Sequence, residues 1–307
     1  MPLHRMKSVT IGVPNIAATR SYYQEFGLAE TDGGWLATTD GGPQLRIVES
    51  PTRRLVELEI GADDNDDLDR IDRQLRGLDL TAIRANGSVT AVEPITRTRV
   101  VVSTASRLDQ PARQAERYNG PGFTDRPGVR AAAILRTEPV QPRKLGHVVI
   151  GSTDQALTQA FFTDGIGLKV SDVIEGSAAF MRCSTDHHNV LVHQAPINFL
   201  HHTSWQVDDV DDVGRGATRM LDEHPERHVW GLGRHHIGSN FFWYLRDPAG
   251  NFSEYYSDLD CIPEDDLWKP EVWGEAESLY TWGPPPPPSF IHPEDLAELM
   301  TGAHSTR

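Results

Sequence analysis

Cysteine is scarce in this sequence, and long apolar runs are missing. The 307 residues contain two cysteines, Cys183 and Cys261, which are too few for a disulfide framework. No run of about 18 apolar residues occurs, so we expect no membrane span. The first residues, MPLHRMKSVTIGVPN, lack an apolar segment followed by a cleavage site, and we therefore expect a cytoplasmic protein.

Positively charged residues are also few compared with negatively charged ones. Lys and Arg number 29 against 44 Asp and Glu, which gives a formal net charge of −15. Such a surface repels phosphate backbones, so nucleic acid is not an expected partner. Hydrophobic residues make up 38% of the chain, enough to build the cores of one large or two ordinary domains. A small neutral or weakly acidic molecule suits this composition better than a polyanion.

Two pairs of similar segments indicate internal repetition. Residues 9–28 align with residues 148–168, and both read as a β-branched strand, a turn, an amphipathic helix and a Gly-Leu pair. Residues 55–71 align with residues 200–216, and both contain an Asp-rich helix start. Units of this kind pack against one another, because a single unit cannot bury its own apolar face. The repetition predicts an α+β fold of four βαβββ units, paired into two domains.

The domain boundaries follow from changes in composition. We predict an N-terminal domain over residues 1–135 and a C-terminal domain over residues 140–262, joined by an Arg-, Gln-, Pro- and Gly-rich connection from Ser106 to Arg143. A Pro-rich tail follows over residues 263–307, and its run Pro284–Pro288 predicts polyproline II structure. We interpret the tail as a strap over the domain surface rather than as a ligand for a signalling module.

Histidines are concentrated in the C-terminal domain. Ten of the 13 lie between Gly146 and Tyr256. Within that stretch His147, His202 and Glu254 fall about 50 residues apart in turn, at the ends of separate predicted strands. Two imidazoles and one carboxylate form the face that holds a non-haem Fe(II) and leaves positions open for substrate and dioxygen. The pattern predicts such a metal site.

The repeat provides an internal comparison for this metal site. In the alignment of the two halves, Ser8 takes the position of the first histidine and Glu57 that of the second. The corresponding third strand, residues 97–104, contains no carboxylate. If the fold itself required these ligands, the N-terminal domain would need them too. We therefore expect the N-terminal domain to be structural and to lack a metal site.

Three stretches of the C-terminal half resemble a known family. They are LGHVVIG, FLHHTSWQVDDVDDV and GLGRHHIGSNFFWYLRDPAGNFSEYY. The last is the most specific, since its His, Tyr, Asp-Pro-x-Gly and Glu follow one another at the family's intervals. The chain resembles the type I extradiol ring-cleaving dioxygenases of the vicinal oxygen chelate superfamily, although its first domain matches only in outline. The resemblance implies the paired-module, glyoxalase-like fold of that superfamily.

The resemblance also implies roles for individual residues. His147, His202 and Glu254 would be the three ligands of Fe(II), with Mn(II) as an alternative, because hard nitrogen and oxygen ligands accept both ions. His201, which precedes the second ligand, would be a surface residue or a support of the ligands, because strand alternation directs only one of the pair inward. Four other histidines are expected in similar places: His193, His224, His228 and His236.

Further residues are implied in catalysis. His188 would act as acid and base, with His187 as the competing assignment, because an imidazole titrates near neutral pH. His235 and Tyr244 would hydrogen-bond the substrate hydroxyl. Trp243 departs from the family's pattern and, with Met181, hints at a wall near the substrate ring.

The resemblance finally implies an activity. The protein would use O2 to open the ring of a catechol beside its vicinal hydroxyls, as part of aromatic hydrocarbon catabolism, and would form a homo-oligomer. The superfamily fold also hosts metal-dependent lyases, isomerases and thiol transferases. A metal-free module that binds an aromatic compound is a further alternative, although histidines gathered in a pocket would be a costly way to bind an apolar ligand.

Overall fold

The computed structural model describes residues 2–274 and 278–301. Its N-terminal half contains an eight-stranded mixed sheet with the strand order β2-β3-β4-β1-β5-β8-β7-β6. The strands of this sheet are β1 (Leu3–Val13), β2 (Ala29–Thr31), β3 (Trp35–Thr38), β4 (Gly42–Glu49), β5 (Arg54–Ala62), β6 (Ile83–Ala85), β7 (Ser88–Val92) and β8 (Arg99–Thr104).

The C-terminal half contains a nine-stranded mixed sheet with the order β14-β15-β16-β13-β9-β12-β11-β10-β17. Its strands are β9 (Lys144–Ser152), β10 (Lys169–Ile174), β11 (Ala178–Arg182), β12 (Val190–Gln194), β13 (Phe199–Gln206), β14 (His228–Arg234), β15 (Phe241–Arg246), β16 (Phe252–Ser257) and β17 (Glu271–Trp273). Apart from β17, the order is that of the first sheet read from the other edge.

One helix follows the first strand of each unit. The α-helices are α1 (Ile16–Glu25), α2 (Asn65–Gly77), α3 (Gln155–Ala160), α4 (Val210–Leu221), α5 (Pro288–Ile291) and α6 (Leu296–Thr301), and a π-helix over Phe161–Ile166 continues α3. The Asp-rich starts identified in the sequence cap their helices, since the side chains of Asp64 and Asp209 accept hydrogen bonds from the third backbone N–H of α2 and α4. The element order therefore gives four βαβββ units, and the predicted fold class is confirmed.

The two halves share one apolar core. The rings of Phe26 and Tyr255 stack with centroids 3.8 Å apart, and the Tyr255 hydroxyl donates to the Phe26 carbonyl at 2.6 Å. The Tyr22 hydroxyl lies 2.5 Å from that of Ser253. A continuous cluster of buried residues runs from Leu3 to Tyr255 through both halves. Because of this common core, the division into two domains at the boundaries above stays a prediction.

The segment between the sheets and the C-terminal tail have little regular structure. Residues 105–131 contain only turns and an isolated bridge, in line with a connection. The tail adds β17 to the edge of the second sheet, beside β10, and then passes across the same half. In the described part of the chain, no helix has the length and the apolar composition to cross a membrane.

Candidate metal centre

Three adjacent central strands carry the predicted ligands. His147 lies on β9, His202 on β13 and Glu254 on β16, with β13 between the other two. Ser204 on β13 pairs with His147 on one side and with Glu254 on the other. Paired residues on neighbouring strands point to the same face, and so do residues two apart on one strand, such as His202 and Ser204. The sheet register thus brings the three side chains together.

The three side chains form a compact and buried group. The Nε2 atom of His147 lies 3.0 Å from Glu254 Oε2, and the Nε2 atom of His202 lies 3.6 Å from the same oxygen. One ligand atom from each residue fits within 4.8 Å of the other two. Glu254 is fully buried, and the histidines are 2% and 4% exposed. Within the described residues, no other group of three or more such side chains has this geometry.

Hydrogen bonding does not satisfy this group. Glu254 Oε1 accepts from the amide of Asn240 at 3.1 Å, whereas Oε2 has no hydrogen-bond partner. The Nε2 atom of His202 is also unpartnered. Buried polar atoms without partners cost free energy, so native structures pair them with a donor, an acceptor or an ion. Two neutral imidazoles and one carboxylate are a donor set for a divalent transition metal, and these residues fit one.

The pKa of His202 supports the neutral form. Burial lowers its pKa well below the usual value, and the neighbouring histidines lower it further. A neutral imidazole offers a nitrogen lone pair, which is what a metal requires.

The expectation that strand alternation directs only one of His201 and His202 inward is wrong. Its side chain is buried, lines the same cavity and lies with Nδ1 2.7 Å from Nδ1 of His202. The reason is a β-bulge: the register between β13 and β9 shifts between Leu200 and His202, so His201 is the extra residue. Alternation breaks down at a bulge, and both histidines turn towards one side. The alternative role of His201 as a support of the ligands agrees with this position.

A second histidine pair lies beside the ligands. His188 lines the cavity, with its ring centroid 4.2 Å from that of His147. His187 is fully buried behind it, with Nδ1 3.1 Å from Nδ1 of His188 and Nε2 3.2 Å from the Asp172 carboxylate. Burial lowers the pKa of His188 well below its usual value. Of the two residues proposed as acid and base, His188 is therefore the one that faces the cavity.

His235 and Tyr244 form a third polar pair at the cavity. The Tyr244 hydroxyl lies 2.8 Å from Nε2 of His235, and Nδ1 of His235 contacts the Leu279 carbonyl. A carbonyl can only accept, so Nδ1 carries the proton and Nε2 accepts from the tyrosine. Burial raises the pKa of Tyr244 well above its usual value, and the nearby Glu254 raises it further. Tyr244 is thus a neutral phenol.

The cavity beside these groups has a volume of about 210 Å³. Its polar groups come mainly from six histidines and Tyr244, and the rest of the wall is largely apolar. The apolar part of the wall includes Val149, Ile174, Phe180, Leu191, Ile237 and Phe290. The space and its lining suit a small aromatic molecule.

Two residues expected near the substrate ring lie elsewhere. Met181 is buried in the shared core, and Trp243 hydrogen-bonds His228 at 3.1 Å on the opposite face of β15. Because neighbouring strand residues point to opposite faces, Trp243 points away from the cavity when Tyr244 points into it. The prediction of a wall formed by Trp243 and Met181 is wrong.

The other four histidines divide into two groups. His193 lines the cavity, contrary to the surface alternative, and its ring lies 5.6 Å from that of His201. His228 and His236 are exposed, and His224 pairs with Glu226 at the surface. These three agree with the sequence-based expectation.

In the N-terminal half, the part of the sheet that corresponds to the metal centre contains an ion pair. Glu59 pairs with Ser8 across β5 and β1, as Ser204 pairs with His147 in the other half. The Glu59 carboxylate accepts from Lys7 at 2.6 Å and from Ser103 at 2.8 Å. The ammonium group of Lys7 thus supplies the positive charge that a metal ion would supply beside this carboxylate. The described residues of this half contain no candidate metal cluster.

The C-terminal strap, defined here as residues 278–291, closes one side of the cavity. Backbone hydrogen bonds join Thr281 and Trp282 to Arg234, and the indole of Trp230 donates to the Pro284 carbonyl at 2.6 Å. Phe290 then packs against His202 and Tyr244, with ring centroids 6.4 and 4.7 Å away. The tail identified in the sequence as a strap therefore lies over the site itself.

Beyond the strap, an ion pair anchors the tail. Arg53, from the N-terminal half, makes two contacts with the Asp295 carboxylate, at 2.6 and 2.9 Å. The Arg53 side chain is 1% exposed and that of Asp295 22%, so this ion pair is partly buried.

Sequence reasoning missed three contributors to the site: Asp172, Asn240 and the strap residue Phe290. The first two are single polar residues whose importance appears only when the sheet brings them beside a histidine or a carboxylate. Phe290 could have been noticed as an aromatic residue close after the proline run. The sequence near it does not show which residues it contacts.

The chain is similar to proteins of known classes. Residues 144–255 match a family model described as the Glyoxalase/Bleomycin resistance protein/Dioxygenase superfamily. Metapyrocatechase 2 of Cupriavidus necator is 36% identical over 169 residues, covering 54% of this chain and 52% of that protein. The manganese-dependent 2,3-dihydroxybiphenyl 1,2-dioxygenase of Geobacillus genomosp. 3 is 29% identical over 157 residues, covering 47% and 50%. The alignments span about half the length of these curated relatives.

A solved structure extends the likeness in fold to the whole chain. The Mn(II)-bound glyoxalase from Novosphingobium aromaticivorans superposes with a TM-score of 0.70 at 24% identity, covering 92% of this chain and 93% of that one. This likeness concerns the fold alone. Together with the relatives' names, it confirms the resemblance inferred from the sequence.

Proposed function

We propose that the chain is an extradiol dioxygenase, since residues 144–255 match the family model described as the Glyoxalase/Bleomycin resistance protein/Dioxygenase superfamily. It would use a divalent metal and O2 to open a catechol ring beside its vicinal hydroxyls. The observation that carries the proposal is the buried group of His147, His202 and Glu254 at an apolar cavity that also contains His188 and Tyr244. The names of both curated relatives support the same reaction class.

We propose Fe(II) as the metal, with Mn(II) as the alternative. The nitrogen and carboxylate donors accept either ion, and the relative from Geobacillus is named as manganese-dependent. When bound, the metal would act as a Lewis acid that lowers the pKa values of the catechol hydroxyls, and it would supply the redox contact with dioxygen.

His188 would take a proton from the substrate. The Asp172 carboxylate accepts from Nε2 of His187, so Nδ1 of His187 is free to accept from Nδ1 of His188. This arrangement leaves Nε2 of His188 unprotonated. Its low pKa, caused by burial, keeps the ring neutral until it receives a proton at that atom.

Tyr244 would orient a substrate hydroxyl. Its own proton is committed to His235, so the lone pairs of its oxygen are free to accept a hydrogen bond from the catechol. The contact of His235 with the strap holds this pair in place. In this way the substrate meets a proton acceptor at His188 and an oriented oxygen at Tyr244.

The apolar wall would bind the face of the aromatic ring and exclude water. A water-poor site strengthens each electrostatic interaction inside it. A substrate of catechol size is consistent with the cavity volume of about 210 Å³. The homo-oligomer and the cytoplasmic location expected from the sequence stay predictions.

A related alternative is another metal-dependent enzyme of the same superfamily. The fold likeness to a Mn(II)-bound glyoxalase favours it, because an isomerase or lyase could use the same ligand set. Product mass separates the two reaction classes. An extradiol product gains both oxygen atoms of O2, whereas an isomerase or lyase product gains none. Mass spectrometry of a catechol incubated with Fe(II)-loaded protein under 18O2 tests this, and a product without added oxygen would refute the proposal.

A further inference from the structure

His201 lies between a metal ligand and the C-terminal strap. Its Nδ1 atom is 2.7 Å from Nδ1 of His202, and its Nε2 atom is 2.6 Å from the Phe290 carbonyl oxygen. Both ring nitrogens are therefore engaged. The three residues form a continuous chain of hydrogen bonds from the strap to the ligand.

The proton positions in this series of hydrogen bonds follow from the Phe290 carbonyl at its end. A carbonyl oxygen only accepts, so Nε2 of His201 carries a proton and donates to Phe290. The Nδ1 atoms of His201 and His202 lie 2.7 Å apart and share one proton, and a neutral His201 ring whose proton sits on Nε2 accepts at Nδ1. The proton shared with His202 must consequently sit on Nδ1 of His202.

This assignment leaves Nε2 of His202 with a free lone pair. That atom has no hydrogen-bond partner, and it faces Glu254 Oε2 at 3.6 Å. The opposite tautomer would place a proton on Nε2 and block it as a ligand. The hydrogen bond from His201 thus selects the only neutral tautomer of His202 that can bind a metal at Nε2.

We propose that His201 is a positioning residue that holds His202 in its metal-binding tautomer and orientation and links it to the C-terminal strap. This inference rests on the proposed metal centre. His201 would not touch the metal or the substrate's reacting atoms. Its effect would be exerted through His202, in the way that partners of metal-bound histidines raise metal affinity.

Packing keeps the His201 ring in this orientation. It lies edge to face with Phe252 and Phe290, with ring centroids 5.2 and 4.8 Å away. Rotation of the ring would break both hydrogen bonds and these contacts at once. The position of the strap therefore determines where the carbonyl end of the chain lies.

The N-terminal half shows that the bulge alone does not require a histidine. The register between β5 and β1 shifts at Val56, just as that between β13 and β9 shifts at His201. The half without a metal cluster has an apolar residue at the bulge. The half with the cluster has an imidazole there, which agrees with a role tied to the ligand.

The arrangement occurs a second time in the same site. His187 donates from Nε2 to an acceptor, Asp172, and receives from Nδ1 of the following residue, His188. The acceptor is a carboxylate in one pair and a carbonyl in the other. In both pairs, the first histidine is placed to orient the second.

Two substitutions distinguish the roles of the two ring nitrogens of His201. His201→Asn places an amide oxygen near the position of Nδ1, so an acceptor for His202 remains. His201→Gln reaches the Phe290 carbonyl with its amide but takes the acceptor away from His202. The proposal predicts that Co(II) binds the full-length Gln variant about 10- to 100-fold more weakly than the wild type, and that the Asn variant keeps most of the affinity.

The affinities are measured by titrating metal-free protein with Co(II), whose visible absorption also reports the ligand geometry. Thermal melts of the metal-free variants show whether each one folds. Equal Co(II) affinity of the folded Gln variant and the wild type would overturn the role of His201 while leaving the proposed function intact. Failure of the wild type itself to bind metal would instead overturn the metal centre.

A measurement on the wild type needs no variant. Nitrogen-15 NMR of histidine-labelled, metal-free protein distinguishes the two neutral tautomers of each ring. The proposal predicts a proton on Nε2 of His201 and on Nδ1 of His202. A proton on Nε2 of His202 would contradict it, whatever the variants do.

Discussion

His147 places its Nε2 atom 3.0 Å from Glu254 Oε2, deep in the protein and at the centre of one sheet. The same carboxylate oxygen has no hydrogen-bond partner. A buried carboxylate without a proton or a cation is unfavourable by several kcal/mol (about 1–3 for the lost hydrogen bond, more for the charge). A divalent metal held by these side chains would remove that cost.

The Glu254→Gln variant tests the carboxylate. Glutamine keeps the shape and an oxygen that accepts from Asn240, but it removes the negative charge. We expect loss of stoichiometric iron or manganese with little change in melting temperature of the metal-free protein. Elemental analysis after anaerobic loading measures this. A variant that retains one metal per chain would show that Glu254 is not a ligand.

The Asp172→Asn variant tests the support of His188. The carboxylate accepts from the Glu271 backbone N–H at 2.7 Å and from His187 at 3.2 Å, and one amide cannot accept at both ends. We expect kcat to fall about tenfold or more, because general acid and base catalysis contributes about 10²- to 10⁴-fold in total. The bound metal should be unaffected.

A matched control exists for that substitution. Asp186 is a nearby partly buried carboxylate that pairs with Lys144 at 2.7 Å and makes no hydrogen bond to His187. Asp186→Asn should leave kcat close to the wild-type value. If both variants lose activity equally, the effect is a general loss of charge and the specific role of Asp172 is refuted.

The Tyr244→Phe variant tests the hydroxyl that faces the substrate. The phenyl ring preserves the contacts with Trp230 and Phe290, so the fold should remain. We expect kcat/KM to fall about tenfold, because the variant loses a hydrogen bond to the substrate that contributes about 1.4 kcal/mol. Steady-state kinetics with a catechol measures the change, with metal content as the control. Unchanged kcat/KM would mean that the tyrosine only packs.

Asp247 predicts a pH dependence of stability. Burial raises its pKa to about 6, against about 3.9 in an unfolded chain. Between these values the folded state binds more protons than the unfolded state, so the free energy of unfolding falls as pH rises from about 4 to about 6. The full contribution is present below pH about 4 and lost above the folded pKa.

The Asp247→Asn variant removes this titration. Its free energy of unfolding, measured by urea at several pH values from 4 to 7, should fall less between pH 4 and 6 than that of the wild type. The variant will be less stable in absolute terms, because the carboxylate accepts from Ala249 and Asn251. Parallel curves for the two proteins would contradict the raised pKa.

The repeated pattern made the fold predictable. Segments that align across the two halves, such as residues 9–28 and 148–168, occupy equivalent strands and helices in the two sheets. The spacing of His147, His202 and Glu254 was likewise informative, because the histidines lie on the first strands of two successive units and the glutamate lies on the last strand of the second unit. Local pattern and repetition are properties of the sequence itself.

Other features depend on contacts that the sequence does not reveal. The inward turn of His201 follows from a bulge, which is set by the pairing of β13 with β9 rather than by any turn residue. The wall formed by Phe290 depends on where the strap docks. The error over Trp243 arose because a likeness to a family motif does not state which face of β15 a residue occupies.

Oxygen consumption tests the central claim most directly. The wild type and His202→Ala are loaded with Fe(II) without oxygen, given a panel of catechols and then exposed to O2 in an oxygen electrode. We predict that the wild type consumes oxygen in proportion to the catechol and forms a coloured ring-opened product, whereas His202→Ala does neither. Equal oxygen uptake by both proteins, or a metal-loaded wild type that turns over no catechol in a broad panel, would contradict the account.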